Sequence, residues 1–173
     1  MESNFQLFSR QMTSPLKFRM FLLSKLPSAY FSGVRVKSLD ENKCEVTVPF
    51  KWFSQNPFRS TYFACLSMAA EMSTGALALG HLYKRKPPVS MLVVKTEGEY
   101  FKKAVDKTVF VCEDGLQIKK IIEEAIGSGE GRTIRAKTIG KNKAGELVAE
   151  FFITWSFKAK PTIPKGEYGM TTK

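Results

Sequence analysis

Histidine is almost missing from this chain of 173 residues: His81 is the only one. A single imidazole excludes a multi-histidine metal centre, and no cysteine stands at ligand spacing from it. It also leaves no Ser–His–Asp or Cys–His arrangement to activate a nucleophile. His81 is expected at a helix end beside the basic "LYKRK", as a C-cap or surface residue. The cysteines are Cys44, Cys65 and Cys112, odd in number and without C-x-x-C spacing. That pattern argues for reduced thiols and a cytoplasmic setting. Cys65 falls inside an apolar helical pattern and is expected to pack in the core.

Long apolar runs are also scarce. Near the N-terminus the longest is "MFLL", interrupted by Lys25 and too short for a secretory leader, so an amphipathic helix is expected there. The segment from Ser60 to Leu82 has the length of a membrane span. Its Ser, Thr and Gly residues dilute it, and Glu71 sits in its middle. A carboxylate at mid-helix costs roughly 2.5–3.5 kcal/mol on membrane insertion, so a buried helix of a globular domain is expected instead. Acid is short as well: 16 Asp and Glu stand against 27 Lys and Arg, a net charge of +11. Such an excess attracts polyanions: nucleic acid, an anionic membrane, or a phosphate-bearing ligand such as coenzyme A. Trp52 and Trp155 do not lie within basic runs, and no basic recognition helix is visible, so nucleic-acid binding is not expected. "GSGEG" at 127–131 follows a helix rather than a strand and lacks Lys-Ser/Thr, which makes it a connecting loop rather than a phosphate loop.

What is present reads as one domain without repeats. "TSPLKFRMFLLSKL" (13–26) predicts a helix with Thr13 or Ser14 as N-cap and Pro15 in its first turn. Two alternating segments, 31–39 and 43–50, flank the turn "DEN" and predict a hairpin. An irregular loop leads to the long helix, about 60–82, stopped by Pro87-Pro88. Strands follow at 90–104, 107–114, 132–142 and 146–160. A short helix within 115–131 places Ile118, Ile121, Ile122 and Ala125 on one side. The tail after 157 has no periodic pattern and is expected to be loosely ordered. A helix apolar on nearly every side must be covered on nearly every side. The expected class is therefore α+β, with an antiparallel sheet of five or six strands wrapped around one long central helix.

That element order resembles the hotdog fold of acyl-CoA thioesterases and dehydratases. The likeness sharpens at "NPFRSTYFACLSMAAE" (56–71). Phenylacetic-acid-degradation-type thioesterases carry Asn-Pro, then His-Gly-Gly opening the central helix, and an acid nine positions after the His. Here Asn56-Pro57 match the start and Glu71 falls on the acid. Tyr62, Phe63 and Ala64 replace His-Gly-Gly. "EYFKKA" (99–104) resembles the family's strand end, and "EGRTIRAKTIGKNKAGELVAEFFITW" resembles its closing hairpin. The likeness covers about 30–157, leaving 1–29 as an N-terminal helical extension and 158–173 as a tail of a single domain, 1–173. It looks closest to an uncharacterised hotdog branch known as a domain of unknown function.

The resemblance implies hydrolysis of an acyl-CoA or related thioester, with no cofactor beyond the coenzyme A of the substrate and no metal. Glu71 would serve as general base or nucleophile, and backbone N–H groups at the helix start would polarise the carbonyl. It also implies a homodimer or tetramer, because the family's sites form between subunits. Ala64, Ser67, Thr74, Gly75 and Ala78 share the face of Glu71 and are all small, leaving room for a ligand or a second subunit. Ser67 or Thr74 would bond the carboxylate or orient a water, and Tyr62 would donate its phenol to a carbonyl. Phe63 would narrow the acyl channel. Lys102, Lys103 and Arg132 suit the phosphates of coenzyme A. Two alternatives stay open: Glu71 as a structural residue paired with Arg59 or with a partner's cation, and Asn56 as a holder of its loop rather than a group facing the thioester. A hotdog protein that binds acyl groups or a partner without turnover is the other reading of the whole chain.

Overall fold

The computed structural model describes residues 2–160; the expected loose tail lies, from residue 161 on, outside the described residues. Six antiparallel strands form one sheet around a central helix, a hotdog fold. In chain order the elements are α1 (Asn4–Thr13), α2 (Pro15–Lys25), α3 (Pro27–Ser32), β1 (Arg35–Leu39), β2 (Cys44–Val48), α4 (Phe63–Leu82), β3 (Val89–Tyr100), β4 (Thr108–Cys112), α5 (Gly115–Ser128), β5 (Arg132–Lys141) and β6 (Leu147–Ala159). The sheet order is β1-β2-β4-β5-β6-β3.

The N-terminal region differs most from the sequence expectation. Helix α1 precedes the predicted one, and "SNFQ" is its signal: Ser3 and Gln6 form a reciprocal capping box, with bonds of 2.8 and 3.1 Å. Pro27 ends α2 but also opens α3 from its first turn, where a missing N–H costs nothing. Residues 31–34 are therefore not strand. Gly33 closes α3 in the left-handed region at φ 80°, and β1 begins only at Arg35.

Helix α4 is built of Ala, Leu and Met, strong helix formers, and its polar residues are small. Gly75 and Gly80 each cost a free helix about 1 kcal/mol. Packing explains both. A Cβ at Gly75 would lie 3.1 Å from the Trp155 ring, and one at Gly80 would collide with Phe5. Leu77, Ala69, Ala70 and Ala78 are fully buried, and Ser73 reaches Thr138 of β5 at 2.8 Å, so the sheet closes over the helix.

Across the sheet two glycines pair with phenylalanines in register, Gly98 with Phe151 and Gly140 with Phe110. Each ring occupies the space a side chain would fill: a Cβ would meet Phe151 Cε1 at 2.5 Å and Phe110 Cε1 at 2.6 Å. The two rings meet edge-on, centroids 5.8 Å apart.

His81 is not at the surface, contrary to the sequence expectation. It is buried against Phe5, with ring centroids 4.8 Å apart, and its Nε2 lies 3.0 Å from the Glu41 carbonyl. A carbonyl only accepts, so Nε2 carries the proton. The same β1–β2 turn receives the start of α5, where Gly115 donates to the Asn42 carbonyl at 3.0 Å. Burial, then the nearby Lys119 and Arg85, hold the imidazole below its ordinary 6.5, against the opposing pull of Glu41. A depressed pKa means the unfolded chain takes the proton first as pH falls. Stability is therefore expected to drop as pH goes from 6.5 toward the folded-state value, and His81→Gln should flatten that slope. Urea melts at neutral and mildly acidic pH check it, and identical slopes for the two proteins would refute it.

Candidate active-site cleft and the central-helix carboxylate

A cleft of about 550 Å³ opens at the N-terminus of α4. One wall is the loop Asn56–Ser60 and the first turn of α4; the other is the segment Tyr100–Ala104 leaving β3. The walls are tied together. Thr61 donates through its N–H (2.7 Å) and its hydroxyl (3.1 Å) to the Ala104 carbonyl, and Tyr62 N–H bonds Ser54 O at 2.7 Å. Phe101 N–H bonds Val148 O at 2.9 Å, fixing the far wall to β6.

Asn56 holds its loop while also lining the cleft. Its Oδ1 accepts from the N–H of Phe58 (3.0 Å) and Ser60 (3.2 Å), and its N–H donates to Ser60 O at 2.8 Å. The loop is tight enough that Arg59 sits at φ 56°, uncommon for a residue with a Cβ. Tyr62 is the N-cap of α4 yet supplies no side-chain cap, so no side chain of the cap residue occupies the donors of the first helical turn. Half-exposed Tyr62 and Phe63 stack edge-on at 4.8 Å and give the cleft an aromatic floor.

Of the residues singled out in the sequence, Asn56, Tyr62, Phe63, Lys102 and Lys103 line this cleft. Ala64 and Ser67 are half-buried beside it. Ser67 donates to the Phe63 carbonyl at 3.0 Å and lies 3.3 Å from the Tyr100 hydroxyl on the opposite wall. Lys102 is held by Glu146 at 2.5 Å, whereas Lys103 has no ion pair among the described residues.

Three expectations meet a different geometry. Thr74 is wholly buried; it donates to the Glu71 carbonyl and accepts from the Trp155 indole N–H, both at 2.9 Å, so its hydroxyl is used up in the core. Neither Thr74 nor Ser67 bonds the Glu71 carboxylate. Arg132 pairs with Phe157 across the sheet, while the cleft end of β6 is Ala149, paired with Gly140 and Tyr100. Eight residues of strand separate the two positions, roughly 26 Å. Arg132 bonds Glu130 there and is outside the cleft.

Glu71 lies nine residues into the helix from Tyr62, about 13 Å along its axis. It opens not into the cleft but into a neighbouring cavity of about 80 Å³, walled by Phe21 and Leu26 of the N-terminal helices, Met91 of β3 and Trp155 of β6. No cation lines this cavity, and Glu71 has no ion pair among the described residues; Arg59 is not its partner. Burial alone pushes its carboxyl above the ordinary 4.5. A largely buried carboxylate without a counter-charge is costly, and such groups concentrate at functional sites.

Sequence reasoning missed Phe58, Leu66, Tyr100 and Phe101 as cleft residues. The break in alternation at "EYFKK" was the signal for Tyr100 and Phe101, since the strand ends there; Phe58 and Leu66 had none. It also missed the wall around Glu71, for which no local signal exists.

The sheet wrapped around α4 defines a hotdog-fold protein. The chain belongs to the family described as "Domain of unknown function (DUF4442)", whose model matches residues 17–157. No curated protein matches it. Among solved structures it is similar to a Pseudomonas aeruginosa protein of unknown function, "Probable Thioesterase", at 20% identity, covering 87% of this chain and 99% of that one with a TM-score of 0.72. It is also similar to a Chlorobaculum tepidum protein of unknown function (14% identity, 92% and 98% covered, TM-score 0.74). A Haemophilus influenzae thioesterase matches at 11% identity, 83% and 90% covered, with a TM-score of 0.60. At these identities the likeness establishes the fold.

Proposed function

We propose that the chain hydrolyses an acyl thioester, with coenzyme A or another carrier as the leaving thiol, in the cytoplasm and as a homodimer or larger assembly. The observation that carries this reading is Glu71: a largely buried carboxylate on the central helix, without a counter-charge among the described residues, whose raised pKa suits a general base. The uncapped first turn of α4 supplies N–H donors for a developing oxyanion; they lie about 13 Å along the helix from Glu71 of the same chain, so they would serve the carboxylate of a second copy. Lys103, without an ion pair among the described residues and at the cleft lip, would meet a phosphate of the carrier. The test is a panel of short, aromatic and long acyl-CoA and acyl-carrier-protein thioesters, followed by release of free thiol. No release from any of them would end the proposal.

A second reading, binding without turnover, is favoured by one observation. Glu71 opens into the small cavity under the N-terminal helices, while the exposed aromatics sit at the cleft. Tight binding of an acyl-CoA with no thiol release would select it.

The assembly rests on β3. Its twelve residues form an edge of the sheet, none is buried, and Leu92 and Val94 are largely exposed. The opposite edge, β1, is covered by α1, whose Ser9 hydroxyl donates to the Leu39 carbonyl at 2.5 Å. A long, uncovered, apolar edge invites another strand. Substituting Val94→Lys is expected to shift the protein from dimer to monomer in sedimentation velocity; an unchanged mass would remove β3 from the interface.

A further inference from the structure

We propose that the outer face of α2, continuous with Phe31, Phe53 and Trp52, docks the protein onto an anionic phospholipid surface. The proposal is independent of thioester chemistry.

Helix α2 is apolar on both sides. Phe18 and Leu22 face the core, yet Leu16, Met20 and Leu23 are 71%, 64% and 52% exposed on the other side. A surface helix of a globular domain normally turns polar residues outward. These three residues share a surface groove of about 520 Å³ with Arg19 and Tyr30. From Tyr30 the apolar surface runs on through ring contacts: Tyr30 to Phe31 at 5.3 Å, Phe31 to Phe53 at 5.5 Å, Phe53 to Trp52 at 4.7 Å. Trp52, 74% exposed, stands at the far end. A continuous apolar patch of this kind marks an interaction site.

Charge chooses the occupant. From Ser3 to Leu39 the chain has no Asp or Glu, and Lys17, Arg19 and Lys25 lie on α2 itself. None of these three has an ion pair among the described residues, although Lys43 beside β2 and the sheet cations Arg135 and Lys137 do. Arg19 donates to the Tyr30 hydroxyl at 3.0 Å, which holds a cation at the rim of the groove. Lys51 adjoins Trp52. Leu, Met, Phe and Trp on one face, with Arg19 at its rim and Lys17 and Lys25 exposed elsewhere on the same helix, is the composition of helices that lie in a headgroup layer. A two-fold contact with a second copy would instead bring like charges at Lys17, Arg19 and Lys25 close together, which is unfavourable. Bases could stack on Trp52, Phe53 and Phe31, but the α2 half of the patch, Leu16, Met20 and Leu23, is aliphatic and gains nothing from them, whereas acyl chains bury both halves.

The test uses the full chain with sedimentable vesicles of phosphatidylcholine alone, or of phosphatidylcholine and phosphatidylglycerol in equal parts. Of the two tryptophans Trp155 is buried, so a blue shift in emission reports Trp52 entering the lipid. Binding to the mixed vesicles with a blue shift is expected, at least about tenfold weaker binding to the neutral ones, and loss at high salt. Lys17→Gln with Lys25→Gln should weaken binding roughly 25-fold, about fivefold per cation. Met20→Ser with Leu23→Ser should abolish the blue shift. Circular dichroism of both double variants should match the wild type, because the substituted side chains are exposed. No binding to the mixed vesicles, equal binding to both kinds, or a self-association that Met20→Ser with Leu23→Ser dissolves would each overturn the proposal. The comparison of vesicle compositions with the unmodified chain decides the matter even if a variant fails to fold.

Discussion

Replacing Glu71 with glutamine is expected to lower kcat for thioester hydrolysis by roughly 10²–10⁴-fold, the range for loss of a general base. Glutamine keeps the shape of the side chain, so Trp155, Met91 and Gly75 around it should stay in place. The same substitution should raise stability, and the sign follows from the surroundings. Burial holds the Glu71 carboxyl above 4.5, with no cation to oppose it. A raised folded-state pKa favours folding below the unfolded value, and that advantage is lost as pH rises through the folded pKa. At neutral pH the wild type therefore bears a cost that the variant lacks: it either buries the charge or keeps a proton that the unfolded chain has lost. Denaturant melts should show Glu71→Gln more stable than the wild type at neutral pH and not at acidic pH. Loss of activity together with a gain in stability is the mark of a residue kept for chemistry. Full activity in the variant would remove Glu71 from the mechanism, and a loss of stability at neutral pH would reveal a hidden partner for the carboxylate. The pH profile should follow the same group: activity rises with pH as Glu71 deprotonates, with its midpoint above the ordinary carboxylate range.

The second large effect concerns the scaffold. Phe151→Ala is expected to cost about 3–5 kcal/mol, the range for a buried phenylalanine truncated in a packed core. Phe151 is 2% exposed and meets Phe110 and Tyr100 edge-on, at 5.8 and 5.5 Å. Its ring also covers Gly98 on the neighbouring strand. Glycine has no side chain with which to close that space, so the cavity left by alanine has nothing adjacent to fill it. For a chain of this size the loss corresponds to a fall in Tm of roughly 6–20 °C. Tyr100 lines the cleft and leans on Phe151, so binding at the cleft should weaken in the same variant. A loss below about 1 kcal/mol would show that neighbouring side chains collapse into the site more freely than the packing implies.

Much of the architecture was legible locally. Alternation marked the β1–β2 and β5–β6 hairpins, because side chains on a strand change faces at every residue. The nearly unbroken apolar character of 63–82 marked a helix that had to be wrapped, and the structure wraps it. The boundaries that moved were those set by two-sided signals. Pro27 both stops a helix and starts one, and Ser14 both ends α1 and precedes Pro15. The capping box at Ser3 and Gln6 was present in the sequence but went unread, and α1 was not expected.

The candidate site divides along the same line. The sequence by itself determined that a lone carboxylate sits nine residues into an apolar helix, that small residues share its face, and that Asn-Pro precedes that helix. These are matters of spacing along one chain segment. Only the tertiary structure decided which way Glu71 opens, because the wall around it comes from α2, β3 and β6, up to 84 positions away in the case of Trp155. It likewise buried His81 under Phe5, took up the Thr74 hydroxyl with Trp155, and carried Arg132 to the far end of β5. A helical face specifies direction relative to its own axis and nothing more. What stands opposite that face, and hence whether a group there is paired, solvated or left without a counter-charge, is fixed by contacts between residues distant in sequence.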